Sequence, residues 1–386
     1  MKKNFDGAEQ LQNRFNIIKS TNGGLGLRNR LRLIWPNLAL NKLSEIIIVG
    51  AAGEGLRLAT LCSHLGIKIR AIADDDLSKH GMVVEGVQVT AIDNLDKISR
   101  EIPVIVASHR SLLPVKRLRA KGFQTVSPFM TLQMLDPDSF PPHMFHKNIL
   151  EDLADNLHQY EALSQMLADD HSLAVLAAVI GYRMDGDPTV LDPIVEWDLY
   201  GPNNLLSYDS DEVYVDGGAF DGDSIRLFIE RVGGRYSRIL GFEPDPATFA
   251  RLKAGFLHEP KIEPINAGLH KNKGVLRFDD AGTRGSILVE SGGIVVPVVG
   301  LDEVLKGDRV SYIKMNIEGA EIDALQGGSQ SIKRWAPKLA ISAYHFPSHL
   351  WQIPAMIKEL RNDYQIFFRQ HDGGIIETVV FALPKK

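Results

Sequence analysis

The sequence holds a single cysteine, Cys62. No internal disulfide can form, which suits a reducing compartment. Long apolar runs are also absent: the most apolar helical stretch, Leu173 to Ile180, is too short to cross a bilayer. Met1 to Arg14 lacks the apolar stretch of a signal peptide, so a cytoplasmic protein with no membrane span is expected. Positive charge is not in excess, since 43 Lys and Arg stand against 48 Asp and Glu for a formal net charge of −5. That balance argues against a nucleic-acid partner, whose phosphates ask for a basic face. There are no repeats and no low-complexity tracts. What is present is a chain of 386 residues, 44% of them hydrophobic, enough for two α/β domains with a core each.

Residues 1–43 read as an N-terminal helical arm around the loop Asn22-Gly23-Gly24. From Glu45 the pattern turns to strand, glycine turn, helix and strand: Ile46 to Gly50, then Gly53 and Gly55, a helix to Leu65, and Lys68 to Ala73 followed by Asp74-Asp75-Asp76. Further strand signals at Val83 to Thr90, Pro103 to Ala107 and Phe123 to Val126 complete a Rossmann-like domain over 44–135. Residues 136–205 form a helical connector, with Ile149, Leu150, Leu153, Leu157, Tyr160, Leu163 and Leu167 repeating at helical spacing. A second series of strands fills 206–386: Val213 to Asp216, Arg238 to Glu243, Ile262 to Asn266, Ser311 to Asn316 and Leu339 to His345. Helical segments separate most of them, so they should run parallel. The last two strands, Tyr364 to Gln370 and Glu377 to Leu383, are joined by so short a link that they must pair antiparallel. A mostly parallel sheet closed by a terminal antiparallel hairpin is the layout of a class I methyltransferase fold, so the expected class is α/β with two Rossmann-like domains.

The richest chemistry lies in Val213 to Ser224. A strand runs into the turn Asp216-Gly217-Gly218-Ala219-Phe220-Asp221-Gly222-Asp223 and then a helix beginning near Ser224. Glycine lets backbone approach a ligand closely, and the turn sits at the carboxyl edge where open α/β sheets bind ligands. Asp216 is placed to anchor the ammonium of such a ligand. Glu243, 27 residues further on and followed by Pro244, ends the next strand, where a carboxylate can accept hydrogen bonds from both hydroxyls of a ribose. Either feature alone is common; together they point to a nucleoside. Asp216, Asp221 and Asp223 crowd the place a pyrophosphate would occupy, which favours a cationic ligand tail over a dinucleotide.

The stretches Leu167 to Ser172, Val215 to Asp223, Phe242 to Pro246, Tyr312 to Glu321, Pro337 to His345 and Glu377 to Ala382 resemble, in order and spacing, the FkbM family of S-adenosylmethionine-dependent methyltransferases over residues 160–386. The resemblance implies S-adenosylmethionine as cofactor, held by Asp216, Gly217, Gly218, Ala219, Phe220, Gly222, Asp223, Ser224, Glu243, Pro244, Asn266 and Asn316. It also implies O-methylation of a small-molecule acceptor, often a sugar, polysaccharide precursor or secondary metabolite, without naming one. The chain departs from the family pattern at Asn316, where an aspartate is usual; asparagine keeps the hydrogen-bonding shape and loses the charge.

An alcohol acceptor must lose a proton, usually to a histidine or carboxylate. Asn316, Glu318, His345 and His371 follow strand ends on one rim and are the catalytic candidates. Glu318 has a competing reading as a helix cap. Glu318, His345 and His371 could hold a divalent ion if they converged, and His143 and His146 have loose metal-like spacing, but neither set offers a complete ligand count, so no metal is expected. Ser286 and Arg284 are placed to touch an acceptor or simply to form a turn.

In the N-terminal half, Gly50, Gly53 and Gly55 fall as GxxGxG rather than GxGxxG, a weak dinucleotide signal. The run through Asp74, Asp75 and Asp76 to Val89 resembles a nucleotide-binding unit of some sugar-modifying enzymes. It could hold a nucleotide sugar or NAD, or serve as a scaffold. The basic segment His109 to Lys121, with Arg110, Lys116, Arg117 and Arg119, could face a phosphate or simply be a solvated helix surface. Two other functions stay open at this point: an NAD- or nucleotide-sugar-dependent enzyme of sugar metabolism, and a non-catalytic S-adenosylmethionine-binding protein prompted by Asn316. A homo-oligomer is compatible with the sequence.

Overall fold

The computed structural model describes residues 6–202, 205–278 and 294–385. They form two compact units: Met1–Ser164 with Asp170–Val195 and Asp372–Ile376, and Gln165–Asp169 with Glu196–His371 and Glu377–Lys386. Ser286 and Arg284 lie outside the described residues. Among the described residues no helix is long and apolar enough to cross a membrane.

The first unit opens with helices α1 (Gly7–Ser20) and α2 (Gly23–Ile34). Asp6 caps α1 by accepting from the Glu9 amide, and Leu11, Phe15 and Ile18 bury one face. Then come β1 (Glu45–Val49), α3 (Gly53–Leu65), β2 (Lys68–Ala73), β3 (Val83–Val84), β4 (Val87–Thr90), β5 (Val104–Val106), α4 (Leu112–Ala120), β6 (Val126–Pro128) and α5 (Phe129–Leu135). The sheet order is β3-β4-β2-β1-β5-β6, parallel throughout except for the β3/β4 pair. The single strand expected over Val83 to Thr90 is instead this hairpin, because Glu85 and Gly86 both take positive φ, 48° and 76°, the backbone of a tight hairpin turn. The helices α6 (Ile149–Asp155), α7 (Leu157–Met166) and α8 (Asp170–Asp185) follow. Helix α1 packs on α8 so closely that a Cβ on Gly7 would lie 2.5 Å from the Ala174 nitrogen. Arg14 and Arg30 both pair with Asp185, and the Trp35 indole donates to the Asp185 carbonyl.

The second unit contains β7 (Val213–Gly217), α9 (Asp223–Arg231), β8 (Arg238–Phe242), α10 (Pro246–Gly255), β9 (Ile262–Ile265), β10 (Gly268–Leu269), β11 (Gly274–Phe278), β12 (Ile294–Val299), α11 (Leu301–Leu305), β13 (Tyr312–Met315), α12 (Glu321–Gly327), α13 (Ser329–Trp335), β14 (Lys338–Ser342), α14 (His349–Leu360), β15 (Tyr364–Gln370) and β16 (Thr378–Pro384). Its seven-stranded sheet runs β15-β16-β14-β13-β7-β8-β9. β14, β13, β7, β8 and β9 are parallel, and β16 is antiparallel to both β14 and β15, the class I arrangement expected. Sequence periodicity missed the small sheet β10-β12-β11. Pro297 interrupts the Val-rich run of β12, and a proline demotes a strand reading; here it simply faces Val275 of β11.

The glycine turn of the first unit is held by packing. A Cβ on Gly55 would sit 1.8 Å from the Gly50 carbonyl oxygen, whereas a Cβ on Gly53 would touch nothing within 4 Å. Gly55→Ala is therefore expected to cost about 1–3 kcal/mol of stability by chemical denaturation, and Gly53→Ala to stay within about 0.5 kcal/mol of the parent. Equal effects from the two would contradict this account of the turn.

Candidate functional site

The carboxyl ends of β7, β8, β13 and β14 share one edge of the second sheet, and the site is assembled there. Lys314 in β13 faces Asp216 in β7. Its ammonium lies 2.8 Å from Asp216 Oδ1 and also donates to the carbonyls of Gly217, at 3.2 Å, and Gly218, at 2.9 Å. The other Asp216 oxygen accepts from the Ser224 hydroxyl at 2.6 Å. Both partners of the ion pair are buried, Asp216 completely. Burial pushes the Asp216 carboxyl up, and Lys314 and Ser224 pull against it. Asp216 thus acts in the structure by fixing the turn through Lys314 and Ser224, with both its oxygens engaged.

The turn itself is tightly constrained. A Cβ on Gly218 would fall 2.0 Å from the Asn316 carbonyl, and one on Gly222 would fall 2.3 Å from the Phe256 ring; both glycines have positive φ. Gly217 and Ala219 are buried, while Gly218, Phe220, Asp221, Ser224 and Pro244 keep partial exposure along the edge. Asp221 pairs with Arg226 at 2.9 Å, and Asp223 accepts from the Ser224 amide.

Glu243 follows β8 and is 7% exposed. Its two oxygens accept from the Phe220 amide at 3.0 Å and the Asp245 amide at 2.9 Å. Burial pushes its carboxyl up to about 7, against those two amide bonds. Asn266 braces the same corner by donating to the carbonyls of Glu243 and Pro244.

A second cluster follows β13 and β14. Glu318 sits in the turn after β13 at φ 53°, with its side chain about a quarter exposed. His345 is completely buried. Its Nδ1 lies 2.8 Å from Glu321 Oε1 and its Nε2 3.5 Å from Glu318 Oε2. Glu321 opens α12, accepts from the Ile317 amide at 2.9 Å and lies 3.4 Å from His349. Burial works against charge on both groups. Mutual attraction outweighs it, holding Glu321 well below the usual carboxylate range and raising His345, with Glu318 and Glu377 adding to the latter. The sign for stability follows. The Glu321 contribution is present above the carboxylate range and is lost as pH falls; the His345 contribution is full below about 6.5 and fades as pH climbs through its raised value.

Asn316 bridges two tyrosines. Its amide donates to the Tyr200 hydroxyl at 2.8 Å and accepts from the Tyr344 hydroxyl at 3.1 Å. Tyr200 and Tyr344 both feel the charge of Glu377. A carboxylate at 316 would add a further negative charge to this half-buried group, so asparagine keeps the bridge at lower electrostatic cost.

Of the four catalytic candidates, Asn316, Glu318 and His345 come together here and His371 does not. His371 Nδ1 lies 2.7 Å from the Glu196 carbonyl, and burial pushes its imidazole down to about 4. The trio Glu318, His345 and His371 therefore does not converge, and among the described residues no His, Cys, Asp or Glu group has the arrangement to hold a metal. Sequence reasoning missed Lys314, Glu321, His349, Tyr200 and Tyr344. A lysine inside an apolar strand and a glutamate three residues after Glu318 were available signals. Tyr200 gave none.

The basic run in the first unit is spent on neighbouring carboxylates: Lys116 on Asp192, Arg117 on Asp75 and Asp93, Arg119 on Asp187, and Lys121 on Asp93 and Asp96.

Residues 216–366 match the family model described as the methyltransferase FkbM domain. Among solved structures, methyltransferase FkbM from Methylobacillus flagellatus superposes with a TM-score of 0.74 at 21% identity, covering 97% of this chain and 99% of that one; this shows a shared fold. Weaker likenesses include Aeropyrum pernix fibrillarin with bound S-adenosylmethionine, at TM-score 0.33 and 12% identity over 47% of this chain and 70% of that one. An rRNA methylase from Streptococcus thermophilus gives 0.32 and 14% over 46% and 89%. No curated protein matches the chain.

Lys314→Met would leave Asp216 buried without its cation. The expected cost is about 3–5 kcal/mol by chemical denaturation, with part regained in the double variant carrying Asp216→Asn. A double variant no better than Lys314→Met alone would remove the ion pair as the organiser of the turn.

Proposed function

We propose that this chain, whose residues 216–366 match the methyltransferase FkbM domain, transfers methyl groups: it binds S-adenosylmethionine along β7 and β8 and methylates a hydroxyl of a carbohydrate or secondary-metabolite acceptor. The observation that carries the cofactor assignment is Glu243. It is a buried carboxylate with no ion-pair partner among the described residues, beside a glycine turn, and pushed up to about 7. Such a group gains most from a ligand that brings hydrogen-bond donors, as the two hydroxyls of a ribose do. Phe220, Gly218 and Pro244 supply the partly exposed surface next to it.

S-adenosylmethionine supplies a methyl group on a sulfonium, so the leaving group needs no acid. What the protein must supply is position and a proton acceptor. Glu318, on the exposed rim beside Asn316, takes the acceptor hydroxyl's proton as the oxygen forms its bond to the methyl carbon. His345 acts through Glu318: its charged imidazole lies 3.5 Å from the Glu318 carboxylate and holds it ionised and oriented, and Glu321 holds His345 charged in turn. His345 is accordingly a positioning residue rather than the base. Asn316, locked between Tyr200 and Tyr344, shapes the wall next to Glu318.

Ribose hydroxyls donating to ionised Glu243 lower its pKa, so cofactor binding releases a proton and affinity rises as pH climbs through about 7. Calorimetry of the full chain with S-adenosylmethionine is expected to show binding that strengthens between pH 6 and 8 and then levels off, and Glu243→Gln is expected to flatten that dependence. Affinity unaltered in Glu243→Ala would refute the ribose assignment.

With any sugar or nucleotide sugar that yields S-adenosylhomocysteine, Glu318→Gln should lower kcat by roughly 10²- to 10⁴-fold with cofactor affinity unchanged. Glu321→Gln should move the alkaline limb of the pH–rate profile to lower pH, since His345 then loses its proton earlier. A uniform loss at every pH in Glu321→Gln would reduce the pair to a structural role.

A further inference from the structure

The first unit has a recess at the carboxyl ends of β1, β5 and β6, where the strand order reverses between β1 and β5, the place at which open parallel sheets take ligands. Among its lining residues are Glu54, Ser108, His109, Phe129, Gln133 and His146. Its inner space is about 10 Å³, the room one hydroxyl group or water needs. It opens past Glu54, Ser108 and His109, which keep partial or full exposure.

At the base lies His146, 3% exposed. The hydrogen bonds around it fix its tautomer. Gln133 Nε2 faces two acceptors, the Pro141 carbonyl at 3.2 Å and Glu54 Oε2 at 3.5 Å, so the amide nitrogen is the donor there and Gln133 Oε1 points to His146 Nε2. An amide oxygen only accepts, so Nε2 carries the proton. Burial, reinforced by His109, His143, Arg57 and Arg183, holds the imidazole neutral. Nδ1 is then a bare lone pair, and it meets no hydrogen-bond partner among the described residues. A buried acceptor in this state calls for a donor from the ligand.

That chemistry separates the ligand classes. A pyrophosphate would bring acceptor oxygens to a neutral Nδ1 lone pair, which offers them no donor, and Arg57, the cation nearby, is already paired with Glu54 at 2.7 Å. The residue that would grip a dinucleotide's ribose is also engaged: Asp74 accepts from the Ala51 amide at 2.6 Å and the Asp76 amide at 2.9 Å, and pairs with Lys79 at 3.0 Å. Beside the mouth, the His109 ring packs on Phe145 and His143, with centroids 5.0 and 5.2 Å apart, and Phe129 adds a second aromatic wall. The ring-bearing lining residues His109 and Phe129 beside one buried acceptor suit a ring that carries hydroxyls at its edge.

We infer that this recess binds a neutral hydroxylated ring, a sugar, with one hydroxyl donating to His146 Nδ1. The site is independent of the methyl-transfer reading and is not a dinucleotide site.

The test is calorimetry and saturation-transfer NMR on the full chain with glucose, N-acetylglucosamine, UDP-glucose, UDP and inorganic phosphate. Saturable binding is expected for a sugar or for UDP-glucose, and none for UDP or phosphate. His146→Gln keeps the group that meets Gln133 and removes the acceptor, so affinity should fall roughly five- to tenfold. His146→Asn, whose Oδ1 takes the position of Nδ1, should retain it. Ser108→Trp at the exposed mouth blocks entry without touching the buried base, and should abolish binding even where the His146 variants fold poorly. The inference is overturned if none of these sugars binds, if UDP or phosphate alone binds as well as UDP-glucose, if Ser108→Trp changes nothing, or if a crystal soaked in the sugar shows only a water on Nδ1.

Discussion

The site in the second unit depends on a cation buried between two strands. Lys314 spans from β13 to Asp216 of β7 and to the carbonyls of Gly217 and Gly218, so one ammonium neutralises a carboxylate and pins the first two glycines of the turn. The turn cannot relax away from it, because Gly218 has no room for a Cβ against the Asn316 carbonyl. Phe220, pinned in the same turn, then presents its amide to Glu243. The placement of Glu243 is therefore inherited from the salt bridge between β13 and β7. A buried pair of this kind is a poor source of net stability but leaves few alternative arrangements, and here the arrangement it selects is the shape of the binding edge.

The same edge concentrates unusual backbone. Tyr200, Phe220, Glu318 and Glu377 all have positive φ, a conformation costing of order 1–3 kcal/mol for a residue with a side chain. Each belongs to the network already described: Tyr200 bonds Asn316, Phe220 bonds Glu243, Glu318 faces His345, and Glu377 bears on Tyr200, Tyr344 and His345 through its charge. The surrounding hydrogen bonds hold these conformations, and the strain is spent on aiming side chains along one rim.

How much of this was legible in the sequence depended on range. The strand, glycine turn and helix around Asp216 were readable because their signals are local, and the parallel order followed from the helices between strands. That Glu243, Asn316, Glu318 and His345 lie along one edge was readable because residues just past parallel strands must share it. What could not be read were partnerships closed by the fold. Asp216 is readable as a strand-end carboxylate, but its pairing with Lys314, 98 residues away, is not. His371 is readable as a histidine past a strand end, but the bond of its Nδ1 to the Glu196 carbonyl is not. His345 reads as an isolated histidine from sequence, yet the fold sets it against Glu321, which raises its pKa. In each case the residue type was informative, but its burial and its partner are set by the fold and not by sequence spacing.

The two units make the point with one motif. Each has a strand, a glycine turn, a helix and a carboxylate after the second strand, which is the topology that holds a ribose. In the first unit that carboxylate is Asp74. Although burial works to raise it, the amides of Ala51 and Asp76 and the Lys79 ammonium bring its pKa below the ordinary value. Its hydrogen-bonding capacity is largely satisfied from within its own loops. In the second unit the carboxylate is Glu243, with amide donors and no paired cation, and burial drives it up to about 7. Identical topology thus yields one carboxylate already satisfied by the chain and another that a ligand's hydroxyls would stabilise. Burial outweighs the amide bonds at Glu243 and is overcome at Asp74, where Lys79, five residues beyond it, adds an ammonium to the two amides. Glu243 has no counterpart at that position, which is Thr248, whose amide donates to the helix-capping carboxylate of Asp245.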